Sequence, residues 1–167
     1  GKFGTQYPQN PSLSFTLSKC MTQTSVSFVP KEIRNKVFSF EFKFEGNNNL
    51  TFHPKIQTFL ERIDNYVPFV RHHHLTIESS NSFPHSSGIA SSASGMSALA
   101  LGIMSIEKKI NPTMTDAYFF QKASFLARLG SGSAARSIKG PLVSWGKSDA
   151  FEGSSDLYGT ALDSKIH

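Results

Sequence analysis

The chain has 167 residues, 38% hydrophobic and 17% charged, which is enough apolar surface for a packed core and too few charges for a disordered tail. A net charge of +5 favours anionic partners, but the basic residues are scattered, and the densest groups, Lys31/Arg34/Lys36 and Lys108/Lys109, read first as solvated faces. The single cysteine, Cys20, cannot form an intramolecular disulfide, and without a signal-like segment or an apolar run long enough to span a bilayer the expected compartment is a reducing cytosol.

Ser12 to Leu17 and Thr24 to Val29 alternate well enough to be strands. From Lys36 to Glu45 the alternation sharpens, with Phe38, Phe40, Phe42 and Phe44 on one face and Ser39, Glu41, Lys43 and Glu45 on the other. Gly46 and the three asparagines after it predict a turn. From Pro54 the period changes. Ile56, Phe59, Leu60, Ile63 and Val67 recur at helical steps until Pro68 stops the helix. Leu75 to Glu78 reads as a short strand. A second helix is expected from Ala90 to about Ile110, with Met96, Leu99, Ala100, Ile103, Ile106 and Ile110 as its apolar stripe and Asn111-Pro112 as its end. A third covers Thr115 to Leu129, with Asp116 in its first turn and Gly130 just beyond it. Leu142 to Trp145 looks like another strand, and the tail from Gly146 has no clear period. Strands grouped early and helices later predict an α+β fold.

Two loops carry candidate chemistry. Pro84 to Gly95 is a Gly/Ser stretch directly before a strong helix, whose free N–H groups and positive dipole end stabilise phosphate. Ser91, Ser92 and Ser94 offer hydroxyl donors or a magnesium ligand, although serine caps on an ordinary loop fit the same residues. No Gly-Lys-Ser/Thr follows, so this is not a Walker A loop. In Gly130 to Ser137, Arg136 follows Ser133 by three positions. If Ser133 opens a helical turn, the two share a side and the guanidinium can fork onto a carboxylate or phosphate. The alternative is a linker with a solvated arginine.

Together the two loops are specific. Pro84 to Gly95 resembles the phosphate-binding Pro-x-x-x-Gly-[Leu/Ile]-x-Ser-Ser-Ala motif of the GHMP kinase superfamily. Gly130 to Ser137 resembles the Gly-Ser-Gly-Ser-Ala-x-Arg-Ser signature of its diphosphomevalonate decarboxylase family. Gly1-Lys2 is similar to the end of that family's Tyr-Trp-Gly-Lys segment, and Pro8 to Leu17 to the strand that follows it. Ser144-Trp145 and Gly153 to Asp156 match further elements in order. His85, Ser86, Ser87 and Ala135 depart from the commonest family residues.

The resemblance implies an N-terminal GHMP-type domain over residues 1–147, a mixed or antiparallel sheet packed with helices, with 148–167 beginning the connection to a second domain. It implies ATP and Mg²⁺ as cofactors, with Gly88, Ser91, Ser92 and Ser94 at the nucleotide. Lys2, Ser131, Ser133 and Arg136 would hold a small diphosphate substrate, and Ser133 and Arg136 would take part in catalysis. The implied reaction is decarboxylation of mevalonate 5-diphosphate to isopentenyl diphosphate, with ADP, phosphate and carbon dioxide as the other products. The family's catalytic aspartate is expected beyond His167 and a further lysine before Gly1, so the chain reads as a fragment, inactive alone. None of Asp149, Asp156 and Asp163 sits in the required motif. No nucleic-acid or membrane partner is expected, and a homodimeric parent stays open. Two alternatives remain: a sister enzyme acting on mevalonate or its monophosphate, and a nucleotide-binding module without turnover.

Other residues are set aside. Consecutive histidines in extended chain point to opposite faces, so Arg71-His72-His73-His74 makes a poor closed metal site. Trp145 reads as core, and no Gly-x-Ser-x-Gly elbow suggests a hydrolase.

Overall fold

A computed structural model describes residues 6–32, 37–84 and 91–162. Its strands are β1 (Ser12–Phe15), β2 (Thr22–Pro30), β3 (Ser39–Phe44), β4 (Asn47–Asn48), β5 (His73–Asn81), β6 (Leu142–Trp145) and β7 (Thr160–Ala161). Its helices are α1 (His53–Ile63), α2 (Ser91–Ile110) and α3 (Asp116–Gly130), with short 3-10 turns at Leu50–Phe52, Pro68–His72 and Gly132–Ser137.

The strands form two sheets, one ordered β2-β5-β3-β4 and the other β1-β6-β7. β5 is central in the first, antiparallel to β2 and parallel to β3. A parallel neighbour requires a long crossover, and α1 supplies it. The phenylalanine alternation of β3 is realised as expected, with Phe40 buried and Phe38 and Phe42 against the core. The turn after β3 sits earlier than its composition suggested. Phe44 pairs with Asn47, so the two-residue loop is Glu45-Gly46, both at positive φ (50° and 77°). That geometry matches the right-handed strand twist, and it leaves Asn47–Asn48 free to form β4.

In α1, Ile56, Phe59, Leu60 and Ile63 are buried, and Pro54 occupies the first turn, where its missing N–H costs nothing. Pro68 opens a 3-10 turn instead of only stopping the helix. α2 buries Met96, Leu99, Ala100, Ile103 and Ile106, but Ile110, at its last position, is exposed. Gly102 lets α2 approach the sheet closely: a Cβ there would lie 2.6 Å from Val26 Cγ2. Thr115 caps α3 by accepting the Tyr118 N–H at 3.2 Å. Gly130 is the last helical residue, not the one beyond it, and Arg62 Nη1 donates to the Leu129 carbonyl at this end (2.8 Å).

The core joins all three helices to one face of the larger sheet through Phe59, Leu60, Ile63, Leu75, Ile77, Ile103, Met104 and Leu126. Each such side chain contributes about 1.5–3 kcal/mol when removed from water. β6 is buried along its whole length. Residues beyond 147, expected to begin a connection, contribute β7, which pairs with β6 at Val143–Ala161 and Ser144–Thr160.

Candidate functional site

α2 starts at Ser91, which places Ser91 and Ser92 in its first turn; Gly88 and His85 lie outside the described residues. Beside this helix end opens a cavity of about 280 Å³, walled by β2, β3, β5, α1 and α2. One side is apolar, with Phe42, Phe44, Phe52, Ile56, Met96 and Leu99. Phe52 meets the rings of Phe42 and Phe44 at 5.8 Å each. The opposite side is polar because two cross-strand pairs of the β2–β5 ladder, Thr22–Asn81 and Thr24–Ser79, turn their side chains into it. Thr24 and Ser79 hydroxyls lie 2.9 Å apart, and Thr22 Oγ1 donates to Asn81 Oδ1 at 2.7 Å.

Proton counting then separates two of the serines. Thr22 has one hydroxyl proton, already directed at Asn81, and its oxygen also contacts Ser94 Oγ. Ser94 must therefore donate to Thr22, which leaves it lone pairs but no proton for a phosphate. Ser92 is the reverse case. Lys55 Nζ, in the first turn of α1, donates to Ser92 Oγ, so the serine keeps its own proton for an anion.

The second loop is a structured 3-10 turn, not a free linker. Ser131 caps the end of α3 through its N–H to the Ala127 carbonyl (3.0 Å), and Gly132–Ser137 follows. At about three residues per turn, Ser133 and Arg136 share a side. Arg136 Nη1 donates to Ser12 Oγ at 3.1 Å, and its guanidinium lies 5.7 Å from the centre of the Trp145 ring. Its Nε is buried and has no hydrogen-bond partner among the described residues. Gly132 packs closely here: a Cβ would stand 3.2 Å from both Gln6 Oε1 and Trp145 Cη2, so these neighbours would have to give by a few tenths of an ångström.

A buried hydroxyl joins the loops. Ser97 Oγ, in α2, lies 2.7 Å from the Ala93 carbonyl and 2.9 Å from the Ala134 carbonyl. The second loop is thereby fixed against the start of α2. A further hydroxyl, Ser124, donates to the Ala135 carbonyl (2.7 Å) and accepts the Gly159 N–H (2.8 Å). Arg128 completes the support. It is 2% exposed, lies over the rings of Tyr7 and Phe125, and donates from Nε to the Leu157 carbonyl at 2.8 Å. Its burial lowers the pKa from the usual arginine value.

Lys2 and Asp163 lie outside the described residues. Asp156 serves a turn, its carboxylate accepting the Lys147 N–H (2.7 Å) and its carbonyl the Trp145 Nε1–H (3.1 Å). The histidine run is structural: Arg71 pairs with Asp64, His73 Nδ1 donates to the Phe69 carbonyl (2.7 Å), and His74 Nδ1 meets Ser39 Oγ (2.6 Å). Among the described residues no group of three His, Cys, Asp or Glu is arranged to hold a metal ion. Lys55, Thr22, Thr24, Asn81 and Arg128 were not singled out from sequence, since each acquires its place only through partners far along the chain.

Residues 3–157 match the family described as the diphosphomevalonate decarboxylase-like N-terminal domain. Diphosphomevalonate decarboxylase of Saccharomyces cerevisiae is 30% identical over 164 residues, covering 94% of this chain and 40% of that protein. A phosphomevalonate decarboxylase of Haloferax volcanii is 32% identical, covering 80% of this chain and 37% of its own. The solved mevalonate diphosphate decarboxylase of Enterococcus faecalis, whose ATP binding is mediated by mevalonate diphosphate, superposes with a TM-score of 0.70 at 30% identity, covering 96% of this chain and 46% of that one. The chain thus spans less than half the length of these relatives.

Proposed function

Since the chain belongs to the diphosphomevalonate decarboxylase-like family, as its N-terminal domain, we propose that it supplies the nucleotide and substrate elements of an ATP-dependent decarboxylase acting on mevalonate 5-diphosphate. The observation that carries this reading is the junction of an apolar, hydroxyl-rimmed cavity at the start of α2 with an arginine loop pinned to the same helix through Ser97. In this reading a flat base lies against the apolar wall of Phe42, Phe52 and Met96, and the triphosphate runs toward Ser91 and Ser92, where a 20-residue helix presents its free N–H groups. The Ser91 and Ser92 hydroxyls suit a hard cation held mainly by the nucleotide's own phosphates, so Mg²⁺ fits without a carboxylate cage. Bound there, magnesium supplies neutralisation of phosphate charge.

In this reading the substrate's carboxylate meets Arg136. The unpartnered Nε, with a neighbouring Nη, forms the planar fork that binds a carboxylate side-on, and a buried donor left unpaired costs about 1–3 kcal/mol until an acceptor arrives. Ser131 and Ser133 add donors for the diphosphate from the same turn. Phosphorylation of the tertiary hydroxyl makes a leaving group. Departure of phosphate with carbon dioxide then leaves isopentenyl diphosphate. The reading assigns the catalytic aspartate and a further lysine to polypeptide outside residues 1–167, and so expects the chain alone to be inactive. Cytosolic residence and a homodimeric assembly of the complete enzyme belong to the same reading.

A second reading rests on the likeness to the Haloferax volcanii enzyme: the substrate of the complete protein is the monophosphate. Assaying carbon dioxide release with ATP and mevalonate, its 5-phosphate or its 5-diphosphate separates the two. Preference for the 5-diphosphate is expected; preference for the 5-phosphate establishes the second reading, and turnover of none refutes both.

A further inference from the structure

Lys55 occupies a position that the stability of the fold does not explain. It stands in the first turn of α1, and its ammonium reaches Ser92 in the first turn of α2. Two positive helix ends therefore converge on a cation. Neither first turn contains an acidic residue, whereas α3 opens with Asp116, which pairs with Lys108. No carboxylate pairs with Lys55 among the described residues; its partner there is a neutral hydroxyl. A lysine at a helix N-terminus opposes the dipole, so this arrangement calls for an anion. The side chain also lines the cavity, between Phe52 on one side and Ser91 and Ser92 on the other, where the apolar wall gives way to the helix end.

We propose that Lys55 is a nucleotide-binding residue whose ammonium moves from Ser92 to the phosphate chain of the bound nucleotide. This rests on the nucleotide reading of the cavity and deepens it by naming the cation that neutralises the phosphates. Lysine suits the task as a compact, flexible point charge with three donors. Ser92, relieved of Lys55, donates its own proton to the same phosphates, so the two side chains act on one anion from opposite helices. The base end of the ligand lies against Phe42 and Phe52 and does not touch the ammonium, so charge at residue 55 discriminates triphosphate from nucleoside.

Calorimetric titration of the complete protein, saturated with mevalonate 5-diphosphate, with the non-hydrolysable analogue AMPPCP and, separately, with adenosine tests this, using Lys55→Met and Lys55→Arg. Loss of a charge-assisted hydrogen bond raises a dissociation constant about ten- to a hundredfold. Lys55→Met should weaken AMPPCP to that extent and adenosine by no more than about twofold, while Lys55→Arg recovers most of the AMPPCP affinity. Thermal melting of both variants confirms that they are folded. If Lys55→Met binds AMPPCP as tightly as the unmutated protein, the proposal is overturned and the cavity reading survives. Equal weakening of AMPPCP and adenosine also overturns it, since Lys55 would then act on the shape of the cavity. Failure of the unmutated protein to bind AMPPCP removes the nucleotide reading and the proposal with it.

Discussion

Replacing Arg136 by lysine keeps the positive charge and removes the planar fork, which isolates what the guanidinium contributes by geometry. Two native contacts go with it, the Nη1 bond to Ser12 Oγ at 3.1 Å and the stacking 5.7 Å from the Trp145 ring centre. Each is worth about 0.5–1.5 kcal/mol, so a modest fall in melting temperature is expected. The effect on turnover should be larger. If the unpaired Nε and a neighbouring Nη hold the substrate's carboxylate through the transition state, losing that pair costs about 1.5–3 kcal/mol, or about ten- to a hundredfold in rate. Steady-state assay of the complete enzyme at saturating ATP measures this, and the KM for ATP should stay nearly constant because Arg136 does not line the cavity at the start of α2, where the nucleotide is proposed to bind. Turnover within about twofold of the unmutated enzyme, well under 1 kcal/mol on that scale, would refute the carboxylate role even if the melting temperature fell.

Ser97→Ala removes the donor shared by the Ala93 and Ala134 carbonyls in a site 2% exposed, and should lower stability by about 1–3 kcal/mol in denaturant unfolding; an unchanged midpoint means the second loop is held by other contacts. Gly102→Ala should destabilise, because a Cβ 2.6 Å from the stiff Val26 side chain forces overpacking of about 1–3 kcal/mol, against a helix-propensity gain of about 1 kcal/mol; a raised melting temperature would refute this. Asp116 has its pKa lowered by its hydrogen bond to Lys108 and then by that residue's charge. A depressed folded pKa gives stability that is present above the unfolded value of about 4 and is lost as pH falls through the folded one. Lys108→Met should therefore lower the melting temperature near pH 7 and lose its effect at strongly acid pH, and a difference that persists in acid assigns the role of Lys108 to packing.

What could be read from sequence was local. The alternation of Phe38, Phe40, Phe42 and Phe44, the helical stripe Ile56–Phe59–Leu60–Ile63, the Thr115-Asp116 helix start and the extended Leu142 to Trp145 each follow from backbone periodicity and capping among near neighbours. The two Gly/Ser loops were legible for the same reason, since their composition and helical flanks are contiguous. Small local errors arose where two short signals competed: Glu45-Gly46 takes the hairpin turn from the asparagines, and β7 is two residues long, too short for any period.

The site itself required the tertiary structure. Lys55 and Ser92 are 37 residues apart, Thr22 and Asn81 are 59 apart, and Arg136 and Ser12 are 124 apart. Nothing in the near sequence of Thr22 says that it will take the proton of Ser94, or that Asn81 will face it; the β2–β5 register decides both. Arg128 reads from sequence as one more charge on an amphipathic helix, and only packing between Tyr7 and Phe125 makes it a buried support. Side-chain period follows from each segment's own backbone geometry, so sequence alone determined which faces are apolar. Which hydroxyl, cation or ring meets which depends on how several such faces pack at once, and only the folded chain settles that.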